Sequence, residues 1–185
     1  MSLSKAPESA NTDFKAITAR GLKVAICTLI AEIGTIESEF NGKKKDLKKV
    51  YFEFQLANGE KVGKLFTYSF HEQSGLTKAL TAWVSSKDFN KDLTVYLNSL
   101  VILNLVENEH KEKMYVNIDS FICFEGSEMK QPTFEDVKAY IFDYDDENTH
   151  DNLKHVPQYI FSKMENTKEY EAFSQNNIKG AEVNH

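Results

Sequence analysis

Hydrophobic residues follow a period of two through most of residues 25–124, with one interruption at a helical period. The first run, Ala25-Ile26-Cys27-Thr28-Leu29-Ile30-Ala31-Glu32-Ile33, is rich in β-branched and apolar residues and predicts a strand that continues through Thr35-Ile36-Glu37. Gly34 sits alone inside that run, which predicts a bulge or bend. Asn41-Gly42 follows, a strong hairpin signal, and Lys43-Lys44-Lys45 is expected at its tip. From Lys48 to Leu56, Val50, Phe52, Phe54 and Leu56 alternate with Lys49, Tyr51, Glu53 and Gln55, giving one apolar and one polar face. Asn58-Gly59 marks a second hairpin. A third strand is expected over Lys64 to His71, with Phe66, Tyr68 and Phe70 on one face and Thr67, Ser69 and His71 on the other.

The period then changes. Leu76, Ala79, Leu80, Trp83 and Val84 recur at helical spacing behind Ser74, a suitable N-cap. After a polar loop, strands are predicted over Ser99 to Val106 and Met114 to Phe124, the latter with Met114, Val116, Ile118, Ser120 and Ile122 on one face; residues 107–113 form a charged hairpin loop. Three strands, a helix and two strands is the layout of the oligonucleotide-binding (OB) type of five-stranded, partly open barrel. An SH3-like barrel also has five strands but usually no full helix at that point. The expected fold is therefore mainly β: a leader over 1–19, an OB-type barrel over 20–125, and an acidic, partly helical extension over 126–185. In the extension, Leu153, Val156, Tyr159, Ile160 and Met164 suggest one short amphipathic helix, and residues from Asn176 onward read as tail.

Net charge is −6, which at first argues against a polyanionic partner. Its distribution changes the picture: residues 126–185 hold 12 acidic and 6 basic side chains, so residues 1–125 are neutral and free to present a basic face. No apolar run is long enough to span a membrane, and the polar N-terminus lacks an apolar signal region. Cys27 and Cys123 lie in predicted strands without CxxC spacing, which fits buried free thiols in a reducing compartment, the cytoplasm.

On an OB barrel the ligand meets strands 2 and 3 and the loops joining strands 1–2 and 4–5. The first loop brings Lys43, Lys44 and Lys45, with Lys48 and Lys49 just beyond. Strand 2 adds Tyr51, strand 3 adds Lys64 and Thr67, and the last hairpin adds Lys111, Lys113 and Tyr115. Lysines release counterions from phosphates, and exposed tyrosines stack bases without regard to sequence. A lysine run at a hairpin tip is often only a solvated turn; its coincidence with the expected ligand face favours binding. Glu107, Glu109 and Glu112 dilute the second loop. The five histidines show no metal-ligand spacing, residues 143–151 lack the glycine and terminal glutamate of a calcium loop, and no nucleophile or phosphate-loop motif occurs. The expectation is a non-enzymatic protein without cofactor or metal.

Ile33-Gly34-Thr35, Phe40 to Lys45, Lys49-Val50, Tyr68 to Ser74, Asn104-Leu105-Val106, Tyr115 to Ile118, Phe142-Asp143 and Val156-Pro157 resemble the pattern of a tailed-phage and prophage family of OB-like single-stranded-DNA-binding proteins. The resemblance spans roughly residues 20–165. It implies a role in phage replication or recombination in the host cytoplasm, with single-stranded DNA as partner. Oligomerisation is compatible with it. The residues of the acidic extension leave three readings open: a solvated tail that competes with DNA for the basic face, a docking peptide for replication or recombination proteins with Tyr159, Ile160 and Met164 as anchors, or a helix packed on the barrel. This chain departs from the family at Asn98-Ser99 and Glu109-His110-Lys111, where a glycine-lysine turn and a glycine-rich hairpin are usual. The competing reading is a protein-interaction or virion structural module built on the same barrel.

Overall fold

The computed structural model describes residues 17–182. Its centre is a six-stranded sheet: β1 (Gly21–Phe40), β2 (Lys43–Leu56), β3 (Lys61–Thr67), β4 (Leu100–His110), β5 (Lys113–Ile122) and β6 (Tyr140–Phe142). The order β3-β2-β1-β4-β5 is antiparallel throughout, and β6 pairs parallel to β1 at Leu29–Ala31. The sheet is not closed. At the seam between β3 and β5, Lys64 Nζ donates to the Ile118 carbonyl at 2.6 Å, and the Phe66 and Phe121 rings lie 5.9 Å apart.

Helix α1 (Gly75–Val84) falls between β3 and β4, as the change of period predicts. The Ser74 hydroxyl accepts from Thr77 N at 3.1 Å and caps its first turn. Trp83 fixes the helix against the sheet through Nε1 to Leu100 O at 2.9 Å. Phe52, Phe54, Phe66, Trp83 and Phe121 form the centre of a first core, with Ala25, Cys27, Ile30, Val50 and Leu103.

Most differences from the expected strands have local causes. β3 starts at Lys61 because Gln55 pairs with it, and it ends at Thr67 as the chain turns toward α1. The Asn58-Gly59 hairpin forms where expected. Residues 107–110, expected as loop, extend β4, and a two-residue turn follows with both Lys111 (φ 48°) and Glu112 (φ 62°) left-handed. A register shift beside Asn104 leaves Asp119 unmatched, so the parity of β5 flips. Ile118 and Phe121 consequently face the core, while Ile122 is 41% exposed.

The expected irregularity at Gly34 is a bulge: the register slips between Glu32 and Gly34, and Gly34 has φ 101°. A side chain there would also meet Thr167 Oγ1 at 2.7 Å, so glycine is required for conformation and for space.

The C-terminal segment is a second layer, where one short helix was expected. After β6 come a 3-10 stretch (Glu147–His155), α2 (Gln158–Met164) behind Pro157, and α3 (Lys168–Glu182), which replaces the expected tail from Asn176. Ile160, Phe161, Met164, Phe142 and Val156 pack on Leu29, Ala31, Ile33 and Tyr51 as a second core on the opposite face of β1 and β2. The acids Asp143 and Asp146 accept from the backbone N–H of Asp145 and Asn148, so they stabilise turns. Of the leader expected over 1–19, residues 1–16 lie outside the described residues; Thr18 and Ala19 are held by the Glu60 carboxylate through Thr18 N, Thr18 Oγ1 and Ala19 N.

Candidate nucleic-acid interface

The polar face of β2, expected to be open, is covered. Tyr51 is 1% exposed, and its hydroxyl is 2.5 Å from that of Tyr159 on α2. Its ring lies over Gly63 of β3. Glu53 is 6% exposed and pairs with Lys61 at 3.3 Å, and burial drives its carboxyl above the usual range despite that cation. Gln55 donates to Glu135 O at 2.8 Å. The polar alternation is satisfied inside the molecule, so no base stacks on Tyr51. Ile160 (2% exposed) and Met164 (0%) are core residues, which removes them as docking anchors; Tyr159 is 48% exposed while bonded to Tyr51.

Three more predicted contacts are engaged within the fold. Lys64 plugs the β3–β5 seam. Lys49 donates to Thr67 Oγ1 at 2.9 Å, and burial pulls its amine down. Lys48 reaches Glu32 at 2.6 Å.

What remains open is a pair of ribbons that project past the cores. In the first, the Asn41-Gly42 turn (φ 51° and 72°) is itself the tip, so Lys43, Lys44 and Lys45 stand in the ladder opposite Phe40, Glu39 and Ser38. Directly opposed residues share a face and successive residues alternate. One face therefore carries Phe40 with Lys43, Ser38 with Lys45, Ile36 with Leu47, and Lys49 beside Gly34. Its own residues supply three lysines and no carboxylate, and the Glu169 carboxylate of α3 lies against its Gly34 end, away from Lys43 and Lys45. The other face carries Glu39 with Lys44, Glu37 with Asp46, and Thr35 with Lys48; there Lys44 is bound to Glu37 at 2.9 Å. Ile36 packs on the second core, so the cationic face continues the outer wall of the sheet.

The second ribbon repeats the separation. Asn108 pairs with Tyr115 and His110 with Lys113 on one face, while Glu107 pairs with Val116 and Glu109 with Met114 on the other. The acidic face continues from Leu105 and Ile118, which point into the first core, so the face with Tyr115 and Lys113 is again outward. Tyr115 is 42% exposed and Lys113 is exposed. Lys111 and Glu112 occupy the turn together. Of the residues expected to contact a ligand, Lys43, Lys45, Lys113 and Tyr115 lie on acid-free outer faces. Phe40, 74% exposed, joins them and was not singled out from the sequence, although its place just before the turn is readable there.

A cleft of about 810 Å³ lies elsewhere, lined by Tyr144, Asp145, Glu147, His150, Glu169 and Phe173. Its carboxylates repel phosphate. Among the described residues no three His, Cys, Asp or Glu side chains come together to hold a metal, and no helix is long and apolar enough to cross a membrane. No protein-family model matches the chain, and no curated protein matches it.

Proposed function

We propose that this chain is a non-catalytic single-stranded-DNA-binding protein that holds the strand on the acid-free outer faces of its two ribbons. The observation that carries this is the separation of charge across the first ribbon: Lys43 and Lys45 on one side, Glu37, Glu39 and Asp46 with Lys44 and Lys48 on the other. A solvated turn has no need to sort its charges by face, whereas a polyanion does, because each opposed carboxylate would cancel a released counterion.

The strand order and the helix between β3 and β4 support an OB-type barrel open at the β3–β5 seam, and the ribbons join strands 1–2 and 4–5, the connections that meet ligand in that fold. The resemblance to phage single-stranded-DNA-binding proteins points the same way and adds a role in replication or recombination. The ligand path differs from that expected, since α2 and α3 pack on β1 and Tyr159 of α2 covers Tyr51 of β2. Contacts with phosphates and exposed rings give weak sequence selectivity.

The test is a titration of a fluorescent oligonucleotide at several salt concentrations. Each lysine–phosphate contact on a single strand contributes roughly 0.7 to the logarithmic salt slope, so Lys43→Ala with Lys45→Ala should reduce it by about 1.4. Lys44→Ala, whose amine is held by Glu37, should leave it nearly unchanged. A wild-type protein with no affinity for single strands at low salt, or a double variant with the wild-type slope, removes the proposal. The alternative, a protein-interaction module, draws on the exposed Met114 (57%) and predicts binding without salt dependence.

A further inference from the structure

Phe40 is exposed at 74%. It is the last residue of β1, directly opposite Lys43, and the next pair on that face is Ser38 with Lys45. The turn beside it uses Asn41 and Gly42 in left-handed conformations, which match the twist of a hairpin and hold the ribbon end in one geometry. A ring in this position is apolar, presented by a fixed ladder, and bracketed by cations with no acid on its face. A dry protein interface would have to bury those ammonium groups without partners. An unpaired base with its flanking phosphates satisfies both parts at once, because the ring takes the base face and the lysines take the backbone.

Resting on the function proposed above, we infer that Phe40 is a base-stacking residue and that it makes the first ribbon select unpaired over paired strands. Bases in a duplex are already stacked on each other, so the ring adds nothing to duplex binding, while the lysines serve either form. Affinity and selectivity thus reside in different side chains of one face. Tyr115 beside Lys113 is placed in the same way on the second ribbon.

The experiment compares wild type, Phe40→Ala, Phe40→Trp and the Lys43→Ala/Lys45→Ala variant against a thymine oligonucleotide and a hairpin duplex. Phe40→Ala should weaken single-strand binding roughly five- to hundred-fold, in line with the loss of one stacked base. Its salt slope and its duplex affinity should stay at wild-type values. Phe40→Trp should retain affinity, and its indole emission should be quenched by the oligonucleotide and not by the duplex. Trp83, 4% exposed, contributes a constant background. Single-strand affinity unchanged in Phe40→Ala, while the lysine variant loses slope, overturns this inference and leaves the proposed function standing. Equal losses on single strand and duplex, or equal quenching by both, also overturn it. Wild-type protein that binds neither form removes both.

Discussion

Gly63→Ala should be one of the most destabilising single-methyl additions in the sheet. Gly63 is not at positive φ, so the backbone tolerates alanine there; space is what is missing. A Cβ on Gly63 would lie 2.5 Å from Tyr51 Cε2 and closer still to Cζ and the hydroxyl. The ring cannot slide away easily, because it is 1% exposed and stands edge-on to Tyr159 at a centroid distance of 6.2 Å. Two responses are open to the protein. Shifting the neighbours costs about 1–3 kcal/mol, as overpacked cores do. Expelling the ring loses about 2–3 kcal/mol of apolar burial and about 1 kcal/mol for the hydroxyl pair with Tyr159. The first route is the cheaper, so the cost should be about 1–3 kcal/mol. With a urea dependence of about 2 kcal/mol per molar, the unfolding midpoint should fall by about 0.5–1.5 M.

The control is the same change in a Tyr51→Ala background. There the ring is gone, and the added methyl should cost less than about 0.5 kcal/mol, so the cycle should return a coupling of at least ~0.5 kcal/mol. If Gly63→Ala costs the same in both backgrounds, or less than about 0.5 kcal/mol in the wild type, then Tyr51 does not occupy the space over β3 and the outer wall is not sealed as described.

Glu169 makes the docking of α3 acid-sensitive: burial pushes its carboxyl up, but Thr35 N (2.9 Å) and Thr35 Oγ1 (2.5 Å) outweigh that and hold it below its ordinary 4.5. The stability it contributes is complete above that value and is lost as pH falls toward the lower folded-state one, so wild-type urea midpoints should drop more steeply below pH 4.5 than those of Glu169→Gln; parallel curves would refute the assignment. Cys27 is 0% exposed and burial pushes its thiol far up, whereas Cys123 is half-buried, so a thiol-disulfide reagent should modify one site in the native protein and two in denaturant. Two fast sites in the native state would contradict the first core.

What could be read in the sequence was local. Asn41-Gly42, Asn58-Gly59 and the Ser74 cap are each decided by a few neighbouring atoms, and each forms where its residues predict. The turn at Lys111-Glu112 gave no such sign, because two ordinary residues take left-handed conformations that pairing on both sides imposes. Burial of the β2 polar face was hidden for a different reason. Tyr51, Glu53 and Gln55 alternate as solvent-facing residues would, yet Tyr159 of α2, Lys61 of β3 and Glu135 of the loop before β6 satisfy them. A sign of the second layer was nevertheless present in β1. Leu29, Ala31 and Ile33 are apolar on one face while Ala25, Cys27 and Ile30 are apolar on the other, as in a strand buried on both sides.

The candidate site was half legible, and the missing half is a matter of parity. Once the turn is placed at Asn41-Gly42, pairing is fixed outward from it, and a period of two sends Lys43 and Lys45 to one face and Lys44 to the other. Glu37 and Glu39 then fall with Lys44, and Phe40 falls with the two free lysines. Treating the lysines as the tip of the hairpin blurs that separation into a net count, in which the acids of residues 37–46 cancel the bases. The second ribbon obeys the same rule, but its parity cannot be set until the Lys111-Glu112 turn is known. Charge summed over a loop therefore understates what a ribbon offers a polyanion, because a ligand lies against one face at a time.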